Sequence, residues 1–151
     1  MSPINPSAIV DAVMTDLKAN AGVSPVQTLS YAEPTIIMPD ACPLLAVWCE
    51  ETEYELLSGG VIAYERKHSI SIAWYVTNPS QAETGGTGDP ATVKALDATL
   101  EQLVARIETY TNGVPGLSGS QQIATLKSRA AAPQEGVTWR GLIEITVEEA
   151  A

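Results

Sequence analysis

Apolar side chains near the start of the chain recur every three or four residues, the spacing that places them on one face of an amphipathic helix. The stripe is made of Ile9, Val10, Val13, Met14 and Leu17. Asn5 is suited to cap this helix, and Pro6 to occupy its first position, where no backbone N–H is needed. Gly22 can adopt the left-handed conformation that ends many helices. The pattern therefore predicts a helix over Pro6–Asn20.

Two long stretches show the patterns of β-strands. Leu44–Leu57 is apolar at its start and acidic later, whereas Val61–Asn78 alternates between apolar and polar residues. One face of the second stretch is expected to carry Ile62, Tyr64, Ile70, Ile72, Trp74 and Val76. Between the two strands, Ser58-Gly59-Gly60 is typical of a hairpin turn, because glycine accepts positive φ without steric cost. The sequence predicts a long antiparallel hairpin whose polar middle projects beyond the core.

Folding about this turn brings acidic and basic residues together. Glu51 and Glu53 on the first strand are expected near Arg66 and Lys67 on the second. Opposite charges across a pair of strands stabilise their register by ~0.2–1 kcal/mol per pair. These charges therefore favour the predicted pairing.

A second amphipathic helix is predicted from Pro90 to about Thr111. Its apolar stripe consists of Val93, Leu96, Leu100, Leu103, Val104 and Ile107. Asp89 can cap this helix, and Asn112-Gly113 can close it. At 1.5 Å per residue, its roughly 22 residues would span about 33 Å.

The chain then contains a second pair of strands, Gln121–Ala132 and Val137–Glu148, joined through Pro133–Gly136. The apolar residues on one face of the last strand are Val137, Trp139, Ile143, Ile145 and Val147. Gly141 interrupts this face and is a candidate β-bulge. The residues from Glu148 onward are expected to form a short acidic tail.

Two other segments carry loop signals. Val23–Pro43 is rich in proline, which lacks a backbone donor, so its extended pieces at Val26–Ser30 and Thr35–Met38 are expected at a sheet edge or in an arm. Pro79–Asp89 has no apolar side chain larger than alanine and is expected to be mobile or to order on a partner. The elements together predict a single α+β domain over residues 1–151. It would have one twisted, mainly antiparallel sheet, two amphipathic helices on one face and a projecting β-hairpin.

Size and composition indicate a folded domain without a nucleic-acid-binding face. The chain has 151 residues and a mass of 15.9 kDa, with 45% hydrophobic and 17% charged residues, which argues against disorder. The formal net charge is −10 and the longest basic run is Arg66-Lys67, so no basic surface is expected to grip phosphates. No run of about 18 apolar residues is present, and the start of the chain lacks a secretory signal, so we expect no membrane contact.

Few residues are available for chemistry. Cys42 and Cys49 are the two cysteines and His68 is the single histidine, which are too few for a structural zinc site. We expect both thiols to be free and buried, and His68 to be exposed on its strand. Gly85–Asp89 lacks the Gly-Lys-Ser/Thr ending of a phosphate-binding loop. No catalytic, cofactor-binding or metal-binding residue is therefore predicted, and an enzyme is the least favoured class.

The order of the elements resembles that of the tail terminator (tail-completion) proteins of long-tailed bacteriophages. The elements on which the resemblance is based are the helix Ser7–Asn20, the alternating strand Ser69–Val76, the capped helix Asp89–Thr111 and the closing strand Thr138–Glu148. The resemblance covers nearly the whole chain and rests on the order and patterning of these elements. The proline-rich segment Val23–Pro43 departs from it and could reach a neighbouring subunit.

The resemblance implies a structural protein of the virion, made in the host cytoplasm, that forms a ring at the neck end of the tail. Such a ring, usually a hexamer, stops polymerisation of the tail tube and offers a surface for head-tail joining. The implied partners are other copies of this chain, the tail tube protein and the head-tail connector or stopper protein. DNA would pass through the lumen without specific binding, because an acidic lumen repels phosphate.

Two regions are the predicted contacts with neighbouring subunits or partners, the hairpin and the loop before the second helix. The candidate residues are Glu50, Glu51, Glu53, Glu55, Arg66, Lys67, Thr84, Gly86 and Thr87. Two other functions stay open, namely another neck or minor tail adaptor and a cytosolic α+β ligand-binding module. The module would need a pocket lined by Trp48, Trp74 and Trp139, although Trp74 and Trp139 lie on apolar strand faces, which favours a core role for both.

Overall fold

The computed structural model describes residues 5–22, 26, 28–34, 41–57, 63–77, 90–111, 113–117, 121–133 and 138–150. The elements in these residues are α1 (Pro6–Asn20), β1 (Thr28–Ser30), β2 (Leu44–Leu57), β3 (Ala63–Thr77), α2 (Pro90–Ile107), β4 (Gln121–Pro133) and β5 (Thr138–Ala150). The strands form one open sheet in the order β1-β2-β3-β5-β4. β1 pairs with β2 in parallel, and the other neighbours are antiparallel. The predicted α+β fold is confirmed.

α1 begins and ends where its capping residues predict. The Oδ1 atom of Asn5 accepts a hydrogen bond from the backbone N–H of Ser7 at 2.8 Å. At the other end, Ala21 donates its N–H to the carbonyl of Leu17 at 3.2 Å, and Gly22 follows with a φ of 71°. Both predicted ends of this helix are confirmed, because each is set by residues that are close in sequence.

Both helices pack on one face of the sheet, which we call the helix-covered face. The buried core on this face includes Ile9, Val10, Val13, Met14 and Leu17 of α1, Leu96, Leu100, Leu103 and Ile107 of α2, and Ile70, Ile72, Trp74, Trp139, Ile143, Ile145 and Val147 of the sheet. Each such side chain contributes about 1.5–3 kcal/mol when fully buried. The predicted stripes of the helices and the apolar faces of β3 and β5 are confirmed for these residues.

The opposite side of the sheet, which we call the outer face, carries a smaller apolar cluster. Its buried members are Leu44, Ala46, Trp48, Ala73, Tyr75 and Leu142, with Ala41 and Cys42 packed against them. Strand alternation places Ala73 and Tyr75 on the side of β3 opposite Ile72 and Trp74, and both are at most 2% exposed. At this end of the sheet, β2 and β3 are therefore buried on both sides.

α2 ends at Ile107, earlier than the predicted end near Thr111. The N–H of Thr109 binds the carbonyl of Arg106 at 3.0 Å, and the N–H of Tyr110 binds the carbonyl of Ile107 at 3.0 Å. These short-range bonds tighten the turn and carry Tyr110 into the interior, where it is 4% exposed. The predicted end of the helix is wrong because burial of Tyr110 overrides the local helical pattern.

Gly141 makes room for a helix and lies opposite a bulge in β4. β3 and β5 pair without interruption at this point, with Trp74 opposite Gly141. A Cβ atom at position 141 would lie 2.5 Å from both Cδ atoms of Leu100 on α2. On the β4 side the register shifts at this residue: Arg129 pairs with Leu142 and Ala132 with Arg140, so two residues of β4 face Gly141. The bulge predicted at Gly141 is therefore confirmed, with the extra residue on β4, and the glycine is also needed for the close approach of α2.

β5 continues through residues that were expected to form a tail. It runs to Ala150, and Glu149 lies opposite Arg66 of β3 and Gln121 of β4. Glu149 is only 6% exposed. The prediction of an acidic tail from Glu148 is wrong because pairing with both neighbours extends the strand.

β2 and β3 form the predicted long hairpin and pair from Leu44–Tyr75 to Leu57–Ala63. β5 accompanies β3 as far as Glu65, so the ribbon is flanked on that side nearly to the end of the described pairs. Several predictions fall outside the described residues: the turn Ser58-Gly59-Gly60, the piece Thr35–Met38, the loop Pro79–Asp89 with its cap Asp89, and the side chains of Ile62, Tyr64 and Val137.

Candidate interaction surface

Among the described strands, only β1 pairs with the outer side of β2, and it covers a short part of that edge. β1 pairs with β2 at Leu44–Ala46. In the part of the chain that the structure describes, no strand pairs with this side of β2 from Val47 to Leu57. The free N–H and C=O groups of such an edge are a template for pairing with another chain. We call Val47–Leu57 the acidic edge, because all its charged residues are glutamates: Glu50, Glu51, Glu53 and Glu55.

Glu50 lies at an irregularity of the acidic edge. The register of β2 against β3 shifts between Cys49 and Glu51, which leaves Glu50 as the extra residue. Its Oε1 atom accepts hydrogen bonds from Nε1 of Trp48 at 2.6 Å and from the hydroxyl of Ser71 at 3.5 Å. This carboxylate is thus held by its own sheet.

Glu51 and Glu53 are the exposed carboxylates of the acidic edge. They lie opposite Ser69 and Lys67 of β3, so the predicted proximity of Glu53 and Lys67 is confirmed. Strand alternation places both glutamates on the outer face. Glu55 lies farther along β2, and its side chain is outside the described residues.

Both basic residues of the predicted interface have partners within the subunit. The guanidinium carbon of Arg66 lies 5.2 Å from the centre of the Tyr54 ring, a cation–π contact. Nζ of Lys67 lies 4.0 Å from Oε1 of Glu148 on β5. Tyr54 itself is 59% exposed. The predicted loop contacts Thr84, Gly86 and Thr87 lie outside the described residues.

β4 forms the opposite edge of the sheet and carries the opposite charge. Within the described ranges it pairs with β5 alone. Its charged residues are Lys127 and Arg129, both exposed, and it contains no acidic residue. Nη2 of Arg129 lies 3.5 Å from Oε1 of Glu144, an exposed ion pair of the kind worth ~0–1 kcal/mol. We call Gln121–Pro133 the basic edge. The lack of carboxylates in this segment is visible in the sequence, but the predicted interface did not include it.

A chain of polar side chains crosses the sheet at the acidic edge. His68 is 0% exposed. Its Nδ1 lies 2.9 Å from Oγ1 of Thr52 on β2, and its Nε2 lies 3.2 Å from Oε2 of Glu149 on β5. If Nε2 donates to the carboxylate, Nδ1 of the neutral ring accepts the hydroxyl proton of Thr52. The prediction of an exposed His68 is wrong, because the extension of β5 supplies a buried partner.

The order of hydroxyl, imidazole and carboxylate in this chain also occurs in nucleophilic triads. Here both nitrogens of His68 are engaged, and its ring has no exposed surface. The Oγ1 atom of Thr52 has a further neighbour, Sγ of Cys49, at 3.8 Å. The arrangement therefore stabilises the acidic edge by joining β2, β3 and β5.

A second buried polar cluster joins the two helices. Asp16 on α1 is 5% exposed and accepts hydrogen bonds from Nε and Nη2 of Arg106 at 2.9 and 2.7 Å, from the Tyr110 hydroxyl at 2.6 Å and from Nδ2 of Asn20 at 3.0 Å. Burial by itself raises the pKa of Asp16, but the bonds from Arg106, Tyr110 and Asn20 hold that pKa below its usual value. Burial, followed by the bond to Asp16, raises the pKa of Tyr110 far above its usual value. The cluster is a structural clamp between α1 and the end of α2.

A cavity of about 430 Å³ adjoins the acidic edge. It lies between the start of α1, the residues after β1, and Trp48 and Cys49 of β2. Tyr31 lines it and is 53% exposed. The cavity therefore separates the residues after β1 from Trp48 and Cys49 of β2.

The tryptophans lie on different sides of the sheet. Trp74 and Trp139 belong to the core on the helix-covered face, whereas Trp48 lies on the outer face. They cannot line a single pocket, as the binding-module hypothesis requires. Cys42 and Cys49 are both free, as predicted, and are half-buried.

Within the described ranges, no three or more His, Cys, Asp or Glu side chains are grouped so that they could hold a metal ion. None of the described helices combines the length and the apolar character needed to cross a bilayer. Comparison with models of known protein families and with curated proteins finds no match.

Proposed function

We propose that this protein is a tail terminator subunit of a long-tailed bacteriophage, which assembles into a ring at the neck end of the tail tube. The charges at the two edges of its sheet carry this proposal. In the described residues, β2 presents a bare acidic edge and β4 a bare basic edge. Each copy can therefore bind the next one head to tail, and contacts between different patches close into rings when the rotation allows.

The buried polar clusters support a role in assembly. The carboxylate of Asp16 and the imidazole of His68 are both consumed by hydrogen bonds inside the subunit. These bonds stiffen the helix pair and the sheet, and a stiff sheet presents its edges in a fixed geometry. Preorganised surfaces lose less entropy when they bind.

The ring would end polymerisation of the tube and offer a surface to the head-tail connector. Six copies would form it, as the resemblance implies. The chain has a formal charge of −10, so a ring of several copies is strongly acidic. An acidic lumen would let DNA pass without binding, because carboxylates repel phosphate.

The test is the assembly of the purified chain with tail tubes from the phage whose genome encodes it. Mass photometry and negative-stain electron microscopy would be recorded with and without tubes, and an unrelated acidic protein of similar size is the control. We expect rings on one end of the tubes, and capped tubes that no longer elongate when tube protein is added. Monomers alone in both samples, or binding along the sides of the tubes, would overturn the proposal.

A further inference from the structure

We infer that β4 of one copy adds to the acidic edge of the next copy, so that neighbouring sheets join into one continuous antiparallel sheet. This contact rests on the ring proposed above and identifies the surfaces that close it. The occupant of the acidic edge is therefore the basic edge of a second copy of this chain.

The strand directions permit this junction. β2, β3, β5 and β4 lie side by side, and each runs antiparallel to its neighbour. β2 and β4 of one copy therefore run in opposite directions. When two copies stand edge to edge with their strands upright, β4 of the first meets β2 of the second as an antiparallel partner.

β1 restricts the register of the junction. It occupies β2 at Leu44–Ala46, so no incoming strand can pair there. β4 ends at Pro133, which lies opposite Trp139 and is therefore level with Val76 of β3. That level is just beyond Leu44, which pairs with Tyr75. If two copies stood at the same height, the end of β4 would collide with β1.

A shift between neighbouring copies removes the collision. The shift must move β4 past the residues of β2 that pair with β1. It must also keep the side chains of each face on the same side of the joined sheet. Counted along β3, the smallest shift that meets both conditions is about four residues, or ~13 Å. It places Pro133 beside Val47, the first residue of β2 beyond its pairing with β1. The two edges then pair over their shared length. A stagger of this kind is also what closing a sheet on itself requires.

The charges provide an independent check on this register. The shift fixed by β1 places Lys127 opposite Glu53 and Arg129 opposite Glu51 of the next copy. All four side chains belong to the outer face, since Lys127 pairs with Glu144 and Arg129 with Leu142 on that side. Opposite charges directly across two strands stabilise their pairing. The shift was set without reference to charge, yet it matches both cations to carboxylates.

The contact can be tested by reversing the charge of one edge at a time. The first variant carries Lys127→Glu and Arg129→Glu, and the second carries Glu51→Lys and Glu53→Lys. Either variant alone would place like charges across every junction. In an equal mixture, alternating copies restore opposite charges at every junction, and so does a single chain with all four changes.

Matched controls change the same charge on exposed helix positions. Lys18→Glu with Lys94→Glu matches the first variant, and Asp97→Lys with Glu101→Lys matches the second. Assembly would be followed by mass photometry over a range of concentrations, with circular dichroism as the check on folding. In the mixture each variant still carries its own substitutions, so recovered assembly cannot come from better folding of either variant.

We expect each variant alone to need at least a tenfold higher concentration than its control to assemble. The mixture and the four-change chain should assemble like the wild type. The contact is wrong if the variants assemble like their controls, or if folded variants stay dissociated when mixed. If the wild type forms rings and the charge-reversal variants form them equally well, only the contact is overturned. If the wild type never assembles, the proposed function is overturned as well.

Discussion

Replacing Gly141 with alanine tests how closely α2 approaches the sheet. The added Cβ would lie 2.5 Å from each Cδ atom of Leu100 and 2.6 Å from its Cγ, well inside van der Waals contact. Leu100 is 4% exposed and sits within the core, so its side chain has little room to move. We expect Gly141→Ala to lower the free energy of unfolding by about 1–3 kcal/mol, the usual cost of overpacking.

Urea unfolding followed by circular dichroism would measure this loss, and Leu100→Ala is the companion variant. Removing the leucine atoms costs about 2–5 kcal/mol by itself, because it leaves a cavity. It also removes the clash, so the double variant should lose at least ~1 kcal/mol less than the two single losses together. Additive losses, or a neutral Gly141→Ala, would refute the close approach.

Three further variants test the buried polar clusters. Asp16→Asn should lower the free energy of unfolding by about 2–4 kcal/mol at neutral pH. The native pKa of Asp16 is lowered, so its contribution is present above the unfolded value of 3.8 and is lost as the pH falls below it. Urea unfolding should therefore show the wild type converging on the variant in acid, and a constant difference would contradict this. Tyr110→Phe should cost about 1.5–3 kcal/mol through loss of a hydrogen bond to a carboxylate, measured by thermal melting, and an unchanged melting temperature would argue against that bond. His68→Ala should lower the free energy of unfolding by about 2–4 kcal/mol and speed amide hydrogen exchange around Thr52 and Glu149. If exchange changes only in other parts of the protein, His68 does not join these strands.

Local patterns were sufficient for much of the fold. The ends of α1 are set by Asn5 and Gly22, which lie next to the helix in sequence. The apolar faces of the helices and of the long strands follow from periods of 3.6 and 2, which the sheet and the helices together must bury. These features could be predicted because they depend on residues within a few positions of one another.

The buried polar groups could not be predicted in this way. His68 and Glu149 are 81 positions apart, and Asp16 and Arg106 are 90 apart. A lone histidine on a polar strand segment indicates exposure, and only the extension of β5 supplies the partner that permits burial. The end of α2 was misjudged for a similar reason, since Tyr110 leaves the helix to reach Asp16.

The candidate interface was partly predictable. The exposed carboxylates Glu51 and Glu53 were identified from sequence, but their counter-charges were sought on the neighbouring strand. The structure places Lys67 opposite Glu53 and also 4.0 Å from Glu148 on β5. The cations of β4 were missed because the order of strands, which places β4 at the far edge of the sheet, is a tertiary property.

The most direct test of head-to-tail assembly is a disulfide between the two edges. A chain with Cys42 and Cys49 replaced by serine would carry Glu53→Cys and Lys127→Cys, because facing residues of paired strands are close enough for a disulfide to form. Mild oxidation should give a ladder of covalent multimers that stops at the closed ring, while either single-cysteine chain gives dimers at most. A two-cysteine chain that stays monomeric, or no better linked than one carrying cysteines at positions 94 and 101 of α2, would contradict assembly through the sheet edges.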